Sequence, residues 1–435
     1  MTKSRSTHLS TTRGAALYIG ALLGPSVLLL PGLAAGLAGP ASILAWVGLL
    51  VLSGLLARVF TALGTLLPSA GGAAAYAEAG LGPRAGRAVG WCFLTGVVLG
   101  APVVCLIGGS YATALLGGGR MVSAGVAAAL LLVVITLTMC GARATTAMQL
   151  VLVALMVVMI AVAAVGSSPA AHAANWTPFA PHGWSAIGSA ASVLMLSFVG
   201  WEAIAPMIVQ LRDPAKQLPR VIMIAFAVAA AVYLILAVAT ISVLGGQAGT
   251  TVPLAGLLKV AVGSAGPTIA AVAAVVLTLA TTNAYLTGAA ALAAELRSRR
   301  RAAAPAASES GRPSYLLQVS IAAAGVLLLT GYATGAVGTA RLVALPTTLF
   351  VTVYLGCTAA AVRILTGRTR IIAGIACLVV AGVLAFAGWT LAVALLVIAL
   401  GAWGPSVRRA VRGARVGRRA DSFATQGDEV CRGAA

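Results

Sequence analysis

Charged residues are scarce in this chain, and acidic residues are the scarcest. Only 8% of the 435 residues are charged, and Asp and Glu together number 8 against 28 Lys and Arg. Hydrophobic residues make up 60% of the sequence and the mean hydropathy is +1.05, which is more apolar surface than a soluble core can bury. Disordered segments and coiled coils need far more charge than this. The composition therefore predicts a polytopic membrane protein.

Side chains that carry catalysis or bind metals are almost absent from the apolar runs. Glu202 is the only acidic residue deep in any of them, and none of the three histidines lies inside one. His172 and His182 share a loop without cysteine or acidic neighbours, which argues against a metal site. A membrane-embedded enzyme needs a cluster of ionisable residues at one depth. We therefore expect no enzyme, no metal site and no cofactor.

The positive charges lie between the apolar runs. The net charge is +20, but the arginines fall almost wholly in short gaps, so they indicate membrane topology and not a nucleic-acid partner. Runs of about 20 apolar residues are long enough to cross a bilayer. Twelve spans are predicted, near residues 14–37, 41–66, 87–115, 121–140, 146–166, 185–209, 220–245, 267–294, 314–331, 338–361, 371–386 and 389–404.

The Lys and Arg distribution predicts the orientation of these spans. With a cytoplasmic N-terminus, 24 Lys and Arg lie on the inner side, and only Arg120, Lys259 and Arg341 lie on the outer side. Cytoplasmic loops carry this kind of excess, so both termini are expected in the cytoplasm.

The segments outside the spans follow from this orientation. We expect a cytoplasmic N-terminus at 1–13, an outer loop at 167–184 and a basic cytoplasmic tail at 405–435. The arginines of the tail either fix the topology or lie on anionic membrane lipids.

Glycine and proline interrupt two of the predicted spans. The first span contains LGPSVLLLPG at 23–32, and the sixth contains SFVGWEAIAP at 197–206. Proline removes a backbone amide and glycine adds backbone freedom. Five crossings separate the two spans, so the second set of spans enters the membrane inverted, and paired interruptions of this kind are typical of transporters with inverted repeats and a midplane site. The predicted fold is an all-α integral membrane protein with 12 transmembrane helices and a 5+5 inverted-repeat core. Its repeats are 14–166 and 185–361, helices 1 and 6 are discontinuous, and two C-terminal helices follow at 371–404.

The interruptions predict the substrate site. A half-helix N-terminus attracts a carboxylate, whereas freed carbonyls attract an ammonium group or a cation, and a zwitterionic amino acid carries both charges. Trp201 either closes over the substrate or packs as an ordinary aromatic residue. The predicted substrate-binding residues are Gly24, Pro25, Ser26, Phe198, Gly200, Trp201 and Glu202.

Coupling to an ion has two candidate sites. Glu202 is the one titratable group deep in a span, and a charge at that depth is costly, so it either carries a proton or acts at the interruption, or else it forms a structural bond to a neighbouring helix. Thr281, Thr282 and Asn283 form a polar run in the eighth span. Their oxygens either bind a cation such as sodium or bond helix carbonyls and neighbouring helices.

Five segments carry a resemblance to a known family. LGPSVLLLPG resembles the signature that opens the amino acid, polyamine and organocation permeases, and SFVGWEA resembles the signature of their sixth helix. Three further segments are similar to the family in the same order, namely LLPSAGGAAAYAEAGLG, NWTPFAPHGW and LRDPAKQLPRVI. Within the family, the bacterial branch that includes exporters of methionine and branched-chain amino acids is the most similar. The resemblance covers about residues 14–362.

This resemblance implies a LeuT-like fold and a function. The expected protein is a secondary active transporter of neutral amino acids that works by alternating access in the bacterial cytoplasmic membrane, with a proton or sodium as coupling ion. Two departures matter: Ser26 stands where the family has a second glycine, and the fifth span lacks the lysine that replaces a sodium ion in some members.

The sequence also favours a neutral substrate. Apart from Glu202, no span offers a central charge to pair with a charged side chain, and an uncompensated charge at that depth is costly. Two alternatives stay open. One is a twelve-span transporter of the major facilitator type. The segment GLGPRAGR at 80–87 faintly resembles the loop motif of those transporters, but it lacks the acidic residue of that motif. The other is a permease of the same superfamily for cationic amino acids or polyamines.

Overall fold

The computed structural model describes residues 10–67, 72–141, 146–201, 211, 213–301 and 315–402. The regular elements of these residues are α-helices and short 3-10 turns. In chain order the helices are α1 (Thr11–Leu22), α2 (Ser26–Ala38), α3 (Ser42–Leu66), α4 (Gly72–Leu81), α5 (Pro83–Leu116), α6 (Arg120–Met139), α7 (Thr146–Ser167), α8 (Ala186–Leu194), α9 (Pro214–Leu244), α10 (Pro253–Val262), α11 (Ala265–Arg301), α12 (Tyr315–Ala333), α13 (Thr339–Ile364), α14 (Gly367–Ala385) and α15 (Thr390–Ala402).

The helices agree closely with the predicted spans. Each predicted span overlaps at least one helix, and α14 and α15 are separated by a turn at 386–389, where the last two predicted spans meet. Within the described residues, nine helical runs are long and apolar enough to cross a membrane, and α2 and α3 together form one of them. Helix α8 with its following turn, α10 and α15 are apolar but shorter. The protein is thus a multi-pass helical membrane protein, while the count of twelve crossings and the inverted repeat stay predictions.

The first predicted span consists of two helices. Helix α1 ends when the amide of Leu23 bonds the carbonyl of Ile19 at 2.7 Å, and α2 restarts with a bond from the Val27 amide to the Gly24 carbonyl at 3.1 Å. Pro25 cannot donate a backbone hydrogen bond, and together with the flexible Gly24 beside it it weakens the helix at this point. The interruption lies where the glycine and proline of the sequence place it.

The sixth predicted span is interrupted as well, as far as the structure describes it. Helix α8 tightens into a 3-10 turn at Met195–Phe198, after which Val199 is extended. Residues 202–210 follow, and Glu202 and Pro206 therefore lie outside the described residues.

Two helices lie between predicted spans. Helix α4 follows α3, and α10 precedes α11. Helix α10 begins with Pro253 at its first position, which suits a helix start, and it buries Leu254, Leu257 and Leu258 on one face. Neither helix was predicted, because only runs long enough to cross a bilayer were counted.

The loop at 167–184 is hydrogen-bonded to the helices around it. The amide of His172 and the side-chain amide of Asn175 both donate to the carbonyl of Ser242 on α9, at 2.9 and 2.7 Å, and the indole of Trp176 donates to the Ser242 hydroxyl at 3.0 Å. The amide of Ala41 donates to the carbonyl of Phe179 at 2.8 Å. The loop therefore connects the end of α9 with the junction between α2 and α3.

Helix α5 forms the centre of the bundle and packs against α4, α6, α11, α12 and α13. Small residues on α5 allow these neighbours to approach. A β-carbon on Gly109 would lie 2.4 Å from the Ser123 carbonyl of α6, and one on Gly108 would lie 3.0 Å from the Thr278 hydroxyl of α11. Small residues at helix contacts are typical of membrane proteins. This packing brings α5, α11 and α13 beside the interruption in the first span.

Candidate functional site

A cavity lies at the interruption between α1 and α2. The volume of the cavity is about 60 Å³, which is room for several water molecules. Its lining residues come from the interrupted first span, α5, the sixth-span segment, α11 and α13. They are Ala21, Leu22, Gly24, Pro25, Ser26, Gly96, Val97, Gly100, Ala101, Val104, Leu196, Val199, Thr281, Thr282, Tyr285 and Phe350.

The predicted residues of the first span all line this cavity. Gly24, Pro25 and Ser26 form the N-terminal edge of α2. A helix N-terminus carries a partial positive charge, which suits a carboxylate. A β-carbon on Gly24 would meet nothing closer than Thr281 Cγ2 at 3.8 Å, so the glycine keeps open space between α2 and α11.

The predicted residues of the sixth span lie at the cavity only in part. Leu196 and Val199 line it, whereas Phe198 and Trp201 are buried away from it. Gly200 has φ +142°, and a β-carbon there would lie 2.8 Å from the carbonyl oxygen of Ala21. The two interrupted segments are therefore in direct contact at Gly200.

Trp201 is fully buried in this structure. Its indole nitrogen donates to the Ser53 hydroxyl of α3 at 3.1 Å, and its ring packs edge-on against Tyr18 at 5.5 Å. Trp46, Phe198 and Tyr233 form a second group of packed aromatic rings. Closure of Trp201 over a substrate stays a prediction, and the conformation described here is the packed one.

Two tyrosine hydroxyls bond the backbone of the interrupted spans, and sequence reasoning missed both. Tyr233 of α9 donates toward the carbonyls of Leu22 and Ser197, at 2.7 and 2.5 Å. Tyr354 of α13 donates to the carbonyl of Phe198 at 3.0 Å and accepts the amide of Gly200 at 2.9 Å. Each hydroxyl thus bonds backbone groups that an unbroken helix would pair internally.

A signal for these tyrosines existed in the sequence. Tyrosine in membrane helices is commonest at the two membrane interfaces, yet Tyr233 and Tyr354 lie well inside long apolar helices. A phenol at that depth needs a hydrogen-bond partner, and interrupted helices supply backbone partners.

The three polar residues of the eighth span face two different parts of the structure. Thr281 and Thr282 line the cavity, and the buried Thr282 side chain lies beside the thiol of Cys105 on α5, with which it interacts. Asn283 faces α6, because its side-chain oxygen accepts from the Thr138 hydroxyl at 3.1 Å. The three residues therefore do not converge on one point.

The cavity lining is uncharged as far as the structure describes it. Ser26, Thr281, Thr282 and Tyr285 are its polar side chains, and the other lining residues are apolar or glycine. Among the described residues, no group of three His, Cys, Asp or Glu is placed to hold a metal ion. This lining suits a small ligand with polar backbone groups and an apolar side chain.

Comparison with known proteins agrees with this architecture. A family model described as amino acid permease matches residues 9–411. The chain belongs to the amino acid permease family. This membership rules against the major facilitator alternative, and it confirms the resemblance to the permeases that the five segments carry.

Several relatives of this permease carry names that describe transport. The amino acid permease YecA of Bacillus subtilis is 30% identical over 390 residues, covering 87% of this chain and 91% of the relative. The L-methionine/branched-chain amino acid exporter YjeH of Escherichia coli is 28% identical over 402 residues, covering 91% and 95%. The branched-chain amino acid permease BcaP of Bacillus subtilis is 24% identical over 239 residues, covering 50% of each chain. Membership in this family supports transport of amino acids and not their enzymatic conversion.

Proposed function

We propose that this permease is a secondary active transporter of neutral, apolar L-amino acids in the bacterial cytoplasmic membrane. It works by alternating access, with both termini in the cytoplasm, and it operates as an exporter, an importer or an exchanger. The observation that carries the proposal is the cavity at the first-span interruption, where a helix N-terminus meets an apolar and uncharged lining.

The α-carboxylate and α-ammonium groups of the substrate are recognised at the interruption. The carboxylate binds at the start of α2, beside Gly24 and Ser26, where the helix dipole favours an anion. The Ser26 hydroxyl adds a donor where the family has glycine. The ammonium group is placed near the end of α1, whose last carbonyls have no intrahelical partner.

The contact between the two interruptions gives Phe198, Gly200 and Trp201 an indirect role. Only Leu196 and Val199 of this segment line the cavity, so we assign Phe198, Gly200 and Trp201 to the support of the first-span backbone in this conformation. Gly200 is the point where that support is closest. Glu202, which follows directly in the chain, keeps its proposed role at the interruption.

The substrate side chain is apolar on this proposal. The lining from α5, the turn after α8 and α13 offers hydrocarbon and glycine surface, and burial of an aliphatic or thioether side chain against it is favourable. A lysine, glutamate or putrescine charge would be desolvated there without a partner among the described lining residues. The names of YjeH and BcaP agree with this substrate class.

Coupling stays with the two predicted candidates, a proton on Glu202 or a cation near the eighth span. Thr281 and Thr282 face the cavity, so we retain them as oxygen donors. Asn283 is bonded toward α6, and we therefore assign it to helix packing rather than to the cation.

Transport is tested most simply by counterflow in proteoliposomes. Vesicles loaded with unlabelled leucine should accumulate labelled leucine transiently only when they contain the protein. Vesicles loaded with lysine should not do so. Accumulation that is equal in protein-free vesicles, or that is driven by lysine and not by leucine, would contradict the proposed function.

A further inference from the structure

The apolar part of the cavity lining comes largely from two helices, α5 and α13. On α5 the lining residues include Gly96 and Gly100, which are four residues apart and so lie one helical turn above each other on the same face. On α13 the lining residue is Phe350. This wall is separate from the polar lining of the first-span interruption and α11.

Gly96 and Phe350 fit each other closely. A β-carbon on Gly96 would lie 3.2 Å from Phe350 Cζ and 3.3 Å from both Cε atoms. The far end of the phenyl ring therefore rests on the bare α-carbon of Gly96, in space that any other residue would fill. The ring reaches the cavity from there with only 4% of its surface exposed.

Phe350 also has little freedom to move. Phe93 of α5 packs edge-on against it, with ring centroids 5.7 Å apart and an interplanar angle of 79°. The neighbouring turn is held in the same way, because a β-carbon on Gly100 would lie 3.4 Å from Cβ of Pro346 on α13. A ring confined on two sides acts as a fixed wall and not as an adaptable one.

We propose that Phe350, seated on Gly96, sets the largest side chain that the transport site accepts. This inference rests on the proposed function, since it assigns the size limit of the same site. A substrate side chain that extends along α5 meets the ring. Removing the ring should admit larger side chains, and pushing the ring into the cavity should exclude side chains that now fit.

The experiment is a competition assay on the purified full-length protein in nanodiscs. Labelled leucine is displaced by unlabelled alanine, leucine or phenylalanine, in the wild type and in the variants Phe350→Ala, Phe350→Leu and Gly96→Ala. For Phe350→Ala and Phe350→Leu we expect the affinity for phenylalanine relative to leucine to rise, by at least tenfold in the alanine variant. For Gly96→Ala the added methyl group displaces the ring, and we expect the affinity for leucine relative to alanine to fall by several fold.

Two matched controls separate a size effect from a general loss of packing. Phe226→Ala removes the same group from α9, where the ring packs against Gly54 and not against the cavity. Gly48→Ala adds a methyl group where nothing lies within 4 Å. Both controls should keep the wild-type order of competitors.

The outcomes distinguish the inference from the function on which it rests. If the wild type binds no neutral amino acid, the proposed function fails and this inference fails with it. If the wild type binds leucine but the order of competitors is unchanged in Phe350→Leu and Gly96→Ala, the assignment of Phe350 is wrong and the function stands. Should Phe350→Ala not fold, the leucine variant and Gly96→Ala decide the question, since they move selectivity in opposite directions.

Discussion

The α-carbon of Gly200 lies against the carbonyl oxygen of Ala21, so closely that a β-carbon on Gly200 would come within 2.8 Å of that oxygen. Ala21 belongs to the last turn of α1, and Gly200 belongs to the interrupted sixth-span segment. The two interruptions are 179 positions apart in the chain and yet touch at this point. The backbone conformation of Gly200, with φ +142°, is one that other residues rarely adopt.

Replacing Gly200 by alanine should therefore damage the site. The new methyl group meets the Ala21 carbonyl and the residue is forced into a strained conformation, at a cost of about 1–3 kcal/mol. We expect a lower unfolding temperature in detergent and weaker leucine binding. Gly125→Ala is the control, because nothing lies within 4 Å of its β-carbon. Equal stability and binding in the two variants would show that the contact at Gly200 is unimportant.

Gly24 should tolerate a small side chain and not a large one. A β-carbon fits at 3.8 Å from its nearest neighbour, whereas a leucine side chain would fill the cavity beside α2. We expect Gly24→Ala to bind leucine within a few fold of the wild type and Gly24→Leu to show no binding, with both variants expressed normally. Binding titrations measure this directly. Normal affinity in Gly24→Leu would move the site elsewhere.

Tyr233 should matter through its hydroxyl alone. Tyr233→Phe keeps the packing with Trp46 and Phe198 but leaves the Leu22 and Ser197 carbonyls without this donor. Polar bonds between membrane helices are worth about 0.6–2 kcal/mol, so we expect a fall of a few degrees in the unfolding temperature. Tyr315→Phe is the control, since Tyr315 is 59% exposed. An unfolding temperature equal to that of the control would contradict the bridging role.

Much of this architecture could be predicted from sequence because lipid constrains the chain in simple ways. The length of an apolar run predicts where a helix crosses the membrane, and adjacent glycine and proline residues such as Gly24 and Pro25 favour an interruption. Helix boundaries were predicted less well. Helix α9 begins at Pro214 instead of near 220, because Asp213 caps it by accepting from the Lys216 amide, a short polar signal that a hydropathy pattern does not register.

The side-chain arrangement of the site was harder to predict. Sequence order places Thr281, Thr282 and Asn283 together, but a helix turns about 100° per residue, so Asn283 faces α6 while the threonines face the cavity. The depth of Tyr233 and Tyr354 in apolar helices indicates that each needs a polar partner, but the sequence does not tell which backbone groups those partners are. Contacts of this kind depend on three-dimensional packing and not on any local pattern.

The prediction for Glu202 rests on the sequence alone, because this residue lies outside the part of the chain that the structure describes. If it carries the coupling proton, Glu202→Gln should lose flux driven by a pH gradient while it retains exchange of labelled for unlabelled leucine. Both are measured in the same proteoliposomes by imposing or omitting the gradient. Undiminished pH-driven flux in the variant would exclude Glu202 as the carrier and direct attention to Thr281 and Thr282.

The most direct test of the account is which ligands displace labelled leucine from the wild-type protein. The uncharged lining of the cavity predicts that leucine, isoleucine, valine or methionine competes at least tenfold better, about 1.4 kcal/mol, than lysine, arginine, glutamate or putrescine. The measurement is an equilibrium competition assay at fixed pH and salt with the purified protein. The predicted result is displacement by the four apolar amino acids at concentrations where the charged ligands have no effect. Displacement led by a charged amino acid or a polyamine would contradict the account.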